Sequence, residues 1–183
     1  IRALDGELIT ESFKTRVKKS GSLALSDTAR DILKMVVVNR YKESPPAFAF
    51  IQGFNLKEGA IASCVGHDSH NIIAVGVDDA SICAAVNLII NNRGGIAVVG
   101  KEKSQVLPLP VAGIMSVDEG QEVAQAYATI DTFAKNNLEC TLKAPFMTLS
   151  FMALLVIPRM KLSDLGLFDG GSFEFSPLFV DKL

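Results

Sequence analysis

The chain has 183 residues, 49% of them hydrophobic, with 18 Lys plus Arg against 20 Asp plus Glu and a net charge of −2. A chain of this size is expected to form one domain that buries roughly 70% of its unfolded surface, which excludes disorder as the main state. The balanced charge leaves no polybasic stripe for nucleic acid or for an anionic membrane.

The apolar run from Phe151 to Ile157 stops at Pro158, far short of the ~20 residues that span a bilayer. No basic-then-apolar signal opens the chain, and its first residue is Ile1 rather than Met, as in a fragment or a trimmed product. Cys64, Cys83 and Cys140 include no Cys-x-x-Cys pair, which argues against a disulfide framework or a zinc knuckle and suits a reducing compartment. A cytoplasmic domain is expected.

In chain order, the β-branched Met35–Val38 predicts a strand, and Ser44-Pro45-Pro46 a connection that can join neither ladder nor helix. Ala47–Gln52 and Ala60–Val65 read as the next strands, and Ile72–Val77 as a buried one. Asp78 or Asp79 then caps a helix over Ala80–Asn92, whose Ile82, Ala85, Val86, Ile89 and Ile90 share one face. Asn92-Arg93-Gly94-Gly95 supplies a left-handed stop before the strand Ile96–Val99. Residues 72–99 thus form a βαβ crossover. Lys101–Lys103 reads as a solvated turn between strands, and Leu107-Pro108-Leu109-Pro110 as a stiff connection. The spacing of Ser116 and Glu119 predicts a capping box, with a helix running to about Asn136 through Val123, Tyr127, Ile130 and Ala134. Phe146–Val156 fits helix or strand and ends by Pro158, and the tail has one short strand near Phe173–Phe175. The fold class is α/β with some α+β character, a mixed sheet with packed helices in a single domain over 1–183.

Both histidines lie in Val65-Gly66-His67-Asp68-Ser69-His70-Asn71, a polar run between two strands. Imidazoles move protons near neutrality, and a carboxylate beside them fixes their tautomer. Consecutive polar side chains beside buried strands need solvent or a use, so a solvated turn and a binding loop are the two readings. A metal at His67 and His70 would need a third ligand from Asp68, Asp78 or Asp79, and the chain has neither His-Glu-x-x-His nor His-x-His. Cys64 with His67 is a weaker nucleophile pair, because Cys64 sits in an apolar strand.

The run from Gly53-Phe54-Asn55 through Gly59-Ala60-Ile61-Ala62-Ser63 to His67-Asp68-Ser69-His70-Asn71 resembles the C-terminal domain of microbial adenine deaminase, in the metal-dependent amidohydrolase superfamily. The likeness continues through Gly94-Gly95-Ile96, Leu107–Pro110, Ala112-Gly113-Ile114-Met115-Ser116, Pro145–Phe151 and Phe173-Glu174-Phe175, with residues 1–45 matched only loosely. Cys64 and Gly66 stand where the family would place Ser and Ala, and Asn55 where it would place Gly.

The resemblance implies hydrolysis of adenine to hypoxanthine and ammonia, at a divalent metal centre (manganese or iron) held in a separate β/α barrel domain. It implies no cofactor in this chain, adenine and the barrel as partners, and a homo-oligomer. His67, Asp68 and His70 are then expected to support catalysis, and Ser69 and Asn71 to bind substrate. On that reading the isolated chain is inactive. Two alternatives stand beside it: a non-catalytic purine-binding or oligomerisation module, and a small independent metal-dependent hydrolase using His67 and His70.

Overall fold

The computed structural model describes residues 1–180. Two small hairpins open the chain, Arg2–Ala3 (β1) with Thr10–Glu11 (β2), and Lys18–Ser20 (β3) with Leu23–Leu25 (β4). Next come Leu33–Val38 (β5), Ala47–Ile51 (β6), Ala60–Ser63 (β7) and Ile72–Gly76 (β8), helix Asp79–Asn91 (α1), then Gly95–Val99 (β9) and Ser104–Pro108 (β10). Helices Gly120–Asn136 (α2) and Pro145–Phe151 (α3) follow, and a meander of Met160–Ser163 (β11), Gly166–Asp169 (β12) and Glu174–Phe175 (β13) comes last.

Six strands form the central sheet in the order β10-β9-β7-β8-β5-β6. β7, β8 and β9 are buried along their whole length, as strands covered on both faces must be. Alternate residues sort to the two faces. Ala60, Ala62, Ala74 and Ala97 meet Ile82, Ala85, Val86 and Ile89 of α1, and the small alanines let the helix lie close. On the other face, Ile61, Ile73, Val75 and Val98 meet Ile130, Phe133 and Ala134 of α2, Phe146 and Leu149 of α3, and Met160 and Leu162 of β11. The sheet is therefore the middle layer of three.

The expected strand–helix–strand crossover over 72–99 is present, with β8 and β9 parallel to each other. They do not touch: β7 lies between them and pairs antiparallel with both. Asp78 caps α1, its Oδ1 accepting the Ser81 amide at 2.7 Å.

Three local expectations change. Ser116 does not cap α2: its hydroxyl accepts the Asp118 amide at 3.1 Å and donates to the Asp118 carboxylate at 2.6 Å, so the helix starts only at Gly120. Leu107-Pro108 ends edge strand β10 rather than starting a connection, at a place where a missing N–H costs no ladder bond. The Phe146–Val156 segment is helical but stops at Phe151, well before Pro158.

Candidate functional site

The polar loop is the tip of the β7–β8 hairpin, in the middle of the sheet. Register places three other connections at the same sheet end. Val38 pairs with Ile72, Ser63 with Ile96, and Pro108 with Gly95, so the chain leaving β5, entering β9 and leaving β10 all gather beside His67–Asn71.

Within the tip, His70 N donates to Gly66 O at 3.0 Å, and Asp68 and His70 take left-handed φ values of 67° and 50°. His67, Asp68 and Ser69 are exposed and His70 half-buried. The His67 ring stacks on Phe151 at the end of α3, with centroids 4.2 Å apart and planes 22° apart, which fixes the imidazole plane. His70 Nδ1 is buried and has no hydrogen-bond partner among the described residues. A buried ring nitrogen left without a partner is a cost the fold carries at this loop, as functional loops do.

The rest of the loop is held from behind. Tyr41 Oη donates to Ser69 O at 2.7 Å, and Arg40 N to Asn71 Oδ1 at 3.3 Å. Asn71 is only 3% exposed, so its amide oxygen serves the fold. Arg40 Nη2 donates to Ala112 O at 2.6 Å, in the turn closed by the Val111–Met115 bridge. Gly113 in that turn has φ 83°, and a Cβ on it would run into the Arg40 guanidinium, so any other residue there is strained and displaces the arginine. Arg40 thus clamps the Ala112–Met115 segment to the histidine loop.

Cys64 points away from His67 into the α1 side of the core. Its thiol donates to Gly113 O at 2.8 Å and accepts Gly95 N at 3.1 Å, and burial pushes its pKa up, so it is no activated nucleophile. Asp78 caps α1 and Asp79 pairs with Lys34 at 2.6 Å, so neither reaches the histidines. Among the described residues no three His, Cys, Asp or Glu side chains come together as a metal would require.

Sequence reasoning missed Arg40, Tyr41 and Phe151. Phe151 stands out only as part of an apolar stretch and of the family likeness, and Arg40 and Tyr41 fall in a connection that carries no motif. Nothing in local periodicity says which loops meet.

Comparison with known proteins adds the lineage. The family model described as "Adenine deaminase C-terminal domain" matches residues 7–174, which takes in much of the loosely matched opening. An adenine deaminase of Sulfurovum sp. (strain NBC37-1) is 57% identical over 175 residues, covering 96% of this chain and 32% of that protein. One from Salinibacter ruber is 48% identical over 182 residues, with 99% and 33% covered, and one from Methanosarcina mazei 51% identical over 182 residues, with 100% and 33% covered. The chain spans about a third of the length of these relatives.

Proposed function

The chain belongs to the adenine deaminase C-terminal domain family, and on that premise we propose that it supplies one wall of a site where adenine is hydrolysed to hypoxanthine and ammonia. The carrying observation is the His67–Asn71 tip: secured from behind by Tyr41 and Arg40, it holds His67, Asp68 and Ser69 exposed with the His67 ring set against Phe151.

In the proposed reaction an oxygen from water bonds to the amino-bearing ring carbon, the carbon–nitrogen bond breaks, and the departing amine takes up a proton. His70 hydrogen-bonds the purine through the ring edge that its half-buried side chain leaves open. His67, its plane set by Phe151, hands a proton to the amine, and Asp68 orients the imidazoles. Ser69 and Asn71 act through the loop, Ser69 by its carbonyl bond to Tyr41 and Asn71 by its bond to Arg40. No cluster among the described residues fits a metal, so the divalent ion that the family implies belongs to the rest of the full-length protein and no step is drawn through it.

The chain is then one folding unit of a cytoplasmic, homo-oligomeric enzyme, docked on a barrel and inactive by itself. In the full-length protein, His67→Ala and His70→Ala are expected to lower kcat/KM for ammonia release by about 10²-fold or more. Wild-type kinetics in both variants would return the loop to a solvated turn.

A further inference from the structure

On the α1 side of the sheet end, a cavity of about 480 Å³ opens between the β5–β6 connection, the end of α1 and the start of β9. Its floor is apolar, formed by Val38, Cys64, Ile72 and Ile89. Phe151, on which His67 stacks, packs against the opposite core, so this cleft is not the face that carries His67. The volume is in the range of small-molecule sites, about 300–1,000 Å³.

The rim is cationic. Arg40, Lys42 and Arg93 line it against one carboxylate, Glu43, and none of the three cations has an ion-pair partner among the described residues. Arg40 is held from the other side by Ala112 O, and its Nε lies beneath the cleft surface with no acceptor among the described residues. Unpaired cations grouped on one rim repel each other unless an anion sits between them.

Arg93 adds a separate observation. The end of α1 is a Schellman motif, with Gly94 N bonded to Ile89 O at 2.9 Å and Arg93 N to Ile90 O at 3.0 Å. The residue at its left-handed position is Arg93, with φ 60°, where glycine sits without strain. An arginine kept in a backbone conformation that disfavours it, with its side chain lining a cavity, points to a use for the guanidinium. The helix end does not present bare carbonyls to an anion, because Asn92 Nδ2 donates to Leu88 O at 2.8 Å and the Schellman amides take the next two.

We propose that this cleft binds a phosphomonoester carrying a compact apolar or aromatic body. The phosphate sits between Arg93 and Lys42, and the body lies on the exposed Ile90 and the Tyr41 ring. Because Tyr41 also bonds the Ser69 carbonyl, the occupant touches a residue that braces the histidine loop. The site stands whether or not that loop contributes to deamination.

Isothermal titration of the full-length protein with AMP, inorganic phosphate and adenosine is the test. AMP is expected to bind at millimolar concentration or below without being displaced by adenine, and adenosine not to bind. Arg93→Gly should weaken AMP at least about tenfold, the loss of one charge-assisted bond, yet raise the melting temperature because glycine takes the left-handed position freely. Lys42→Gln should weaken AMP with no change in melting. Absence of AMP binding, displacement by adenine, equal binding of adenosine, or wild-type affinity in Arg93→Gly would overturn the assignment.

Discussion

The Tyr41 hydroxyl reaches across the sheet end to donate to the Ser69 carbonyl at 2.7 Å, joining the β5–β6 connection to the histidine loop. Tyr41 itself is 65% exposed, so this bond contributes little to overall stability and much to where the loop rests. Tyr41→Phe keeps the ring and its contact with Arg40 and removes only the bond. Steady-state kinetics of the full-length variant should show a several-fold fall in kcat/KM, with a stability change below about 1 kcal/mol. Unaltered kinetics would mean that the loop holds its place without Tyr41.

Gly113→Ala puts a methyl where Arg40 Nη1 lies and forces a left-handed φ on alanine. The arginine has to move, which breaks its bond to Ala112 O. The expected cost is about 2 kcal/mol, the sum of backbone strain and one charged hydrogen bond. Urea unfolding measures it, and Arg40→Lys should recover little, since an ammonium cannot reproduce the planar fork.

Asp31 is a buried carboxylate whose two oxygens accept the amides of Gly53 and Asn55, fixing the turn that leads toward β7. Burial raises its pKa, and the two amide bonds act in the opposite direction. Asp31→Ala leaves both amides without their acceptor and should destabilise the fold by about 2–3 kcal/mol in denaturant titration. Asp31→Asn, which retains one acceptor oxygen, should cost less.

Lys161 is fully buried, and among the described residues its ammonium has one bond, to Leu8 O at 2.7 Å. Burial lowers its pKa from 10.5 to about 8. Between those values the unfolded chain holds the proton and the folded chain does not, so unfolding takes a proton up. Stability from this group therefore rises with pH from about 8 to 10.5 and is level below that window. Lys161→Met should abolish the rise and stabilise the fold at pH 7 by on the order of 1–2 kcal/mol, the cost of a buried charge less one hydrogen bond. Hydrogen exchange of the β11 and β12 amides across this pH range is the readout.

Legibility tracked how much pattern each segment carries. α1 was plain because a carboxylate cap, a run of apolar positions on one face and a left-handed stop all agree over residues 78–95. The buried strands β7, β8 and β9 were plain because they are unbroken apolar runs. The opening hairpins and the β11–β12 pair escaped notice because strands of two to four residues show no period. Ser116 misled because the serine that fits a capping box equally fits a turn onto Asp118. The histidine loop was legible as chemistry but not as geometry. Its supports Tyr41 and Phe151 are 28 and 84 residues away along the chain from their partners Ser69 and His67, and only the sheet brings them together.

The sheet's continuity runs through β7, which alone bonds the β8-β5-β6 half to the β9-β10 half. Outer strands fray first, and a middle strand opens only when the whole domain does. The histidine tip grows directly from that middle strand, so loosening at either rim leaves it in register. Amides next to it should be among the slowest to trade with solvent, a stillness uncommon for a segment so open to water.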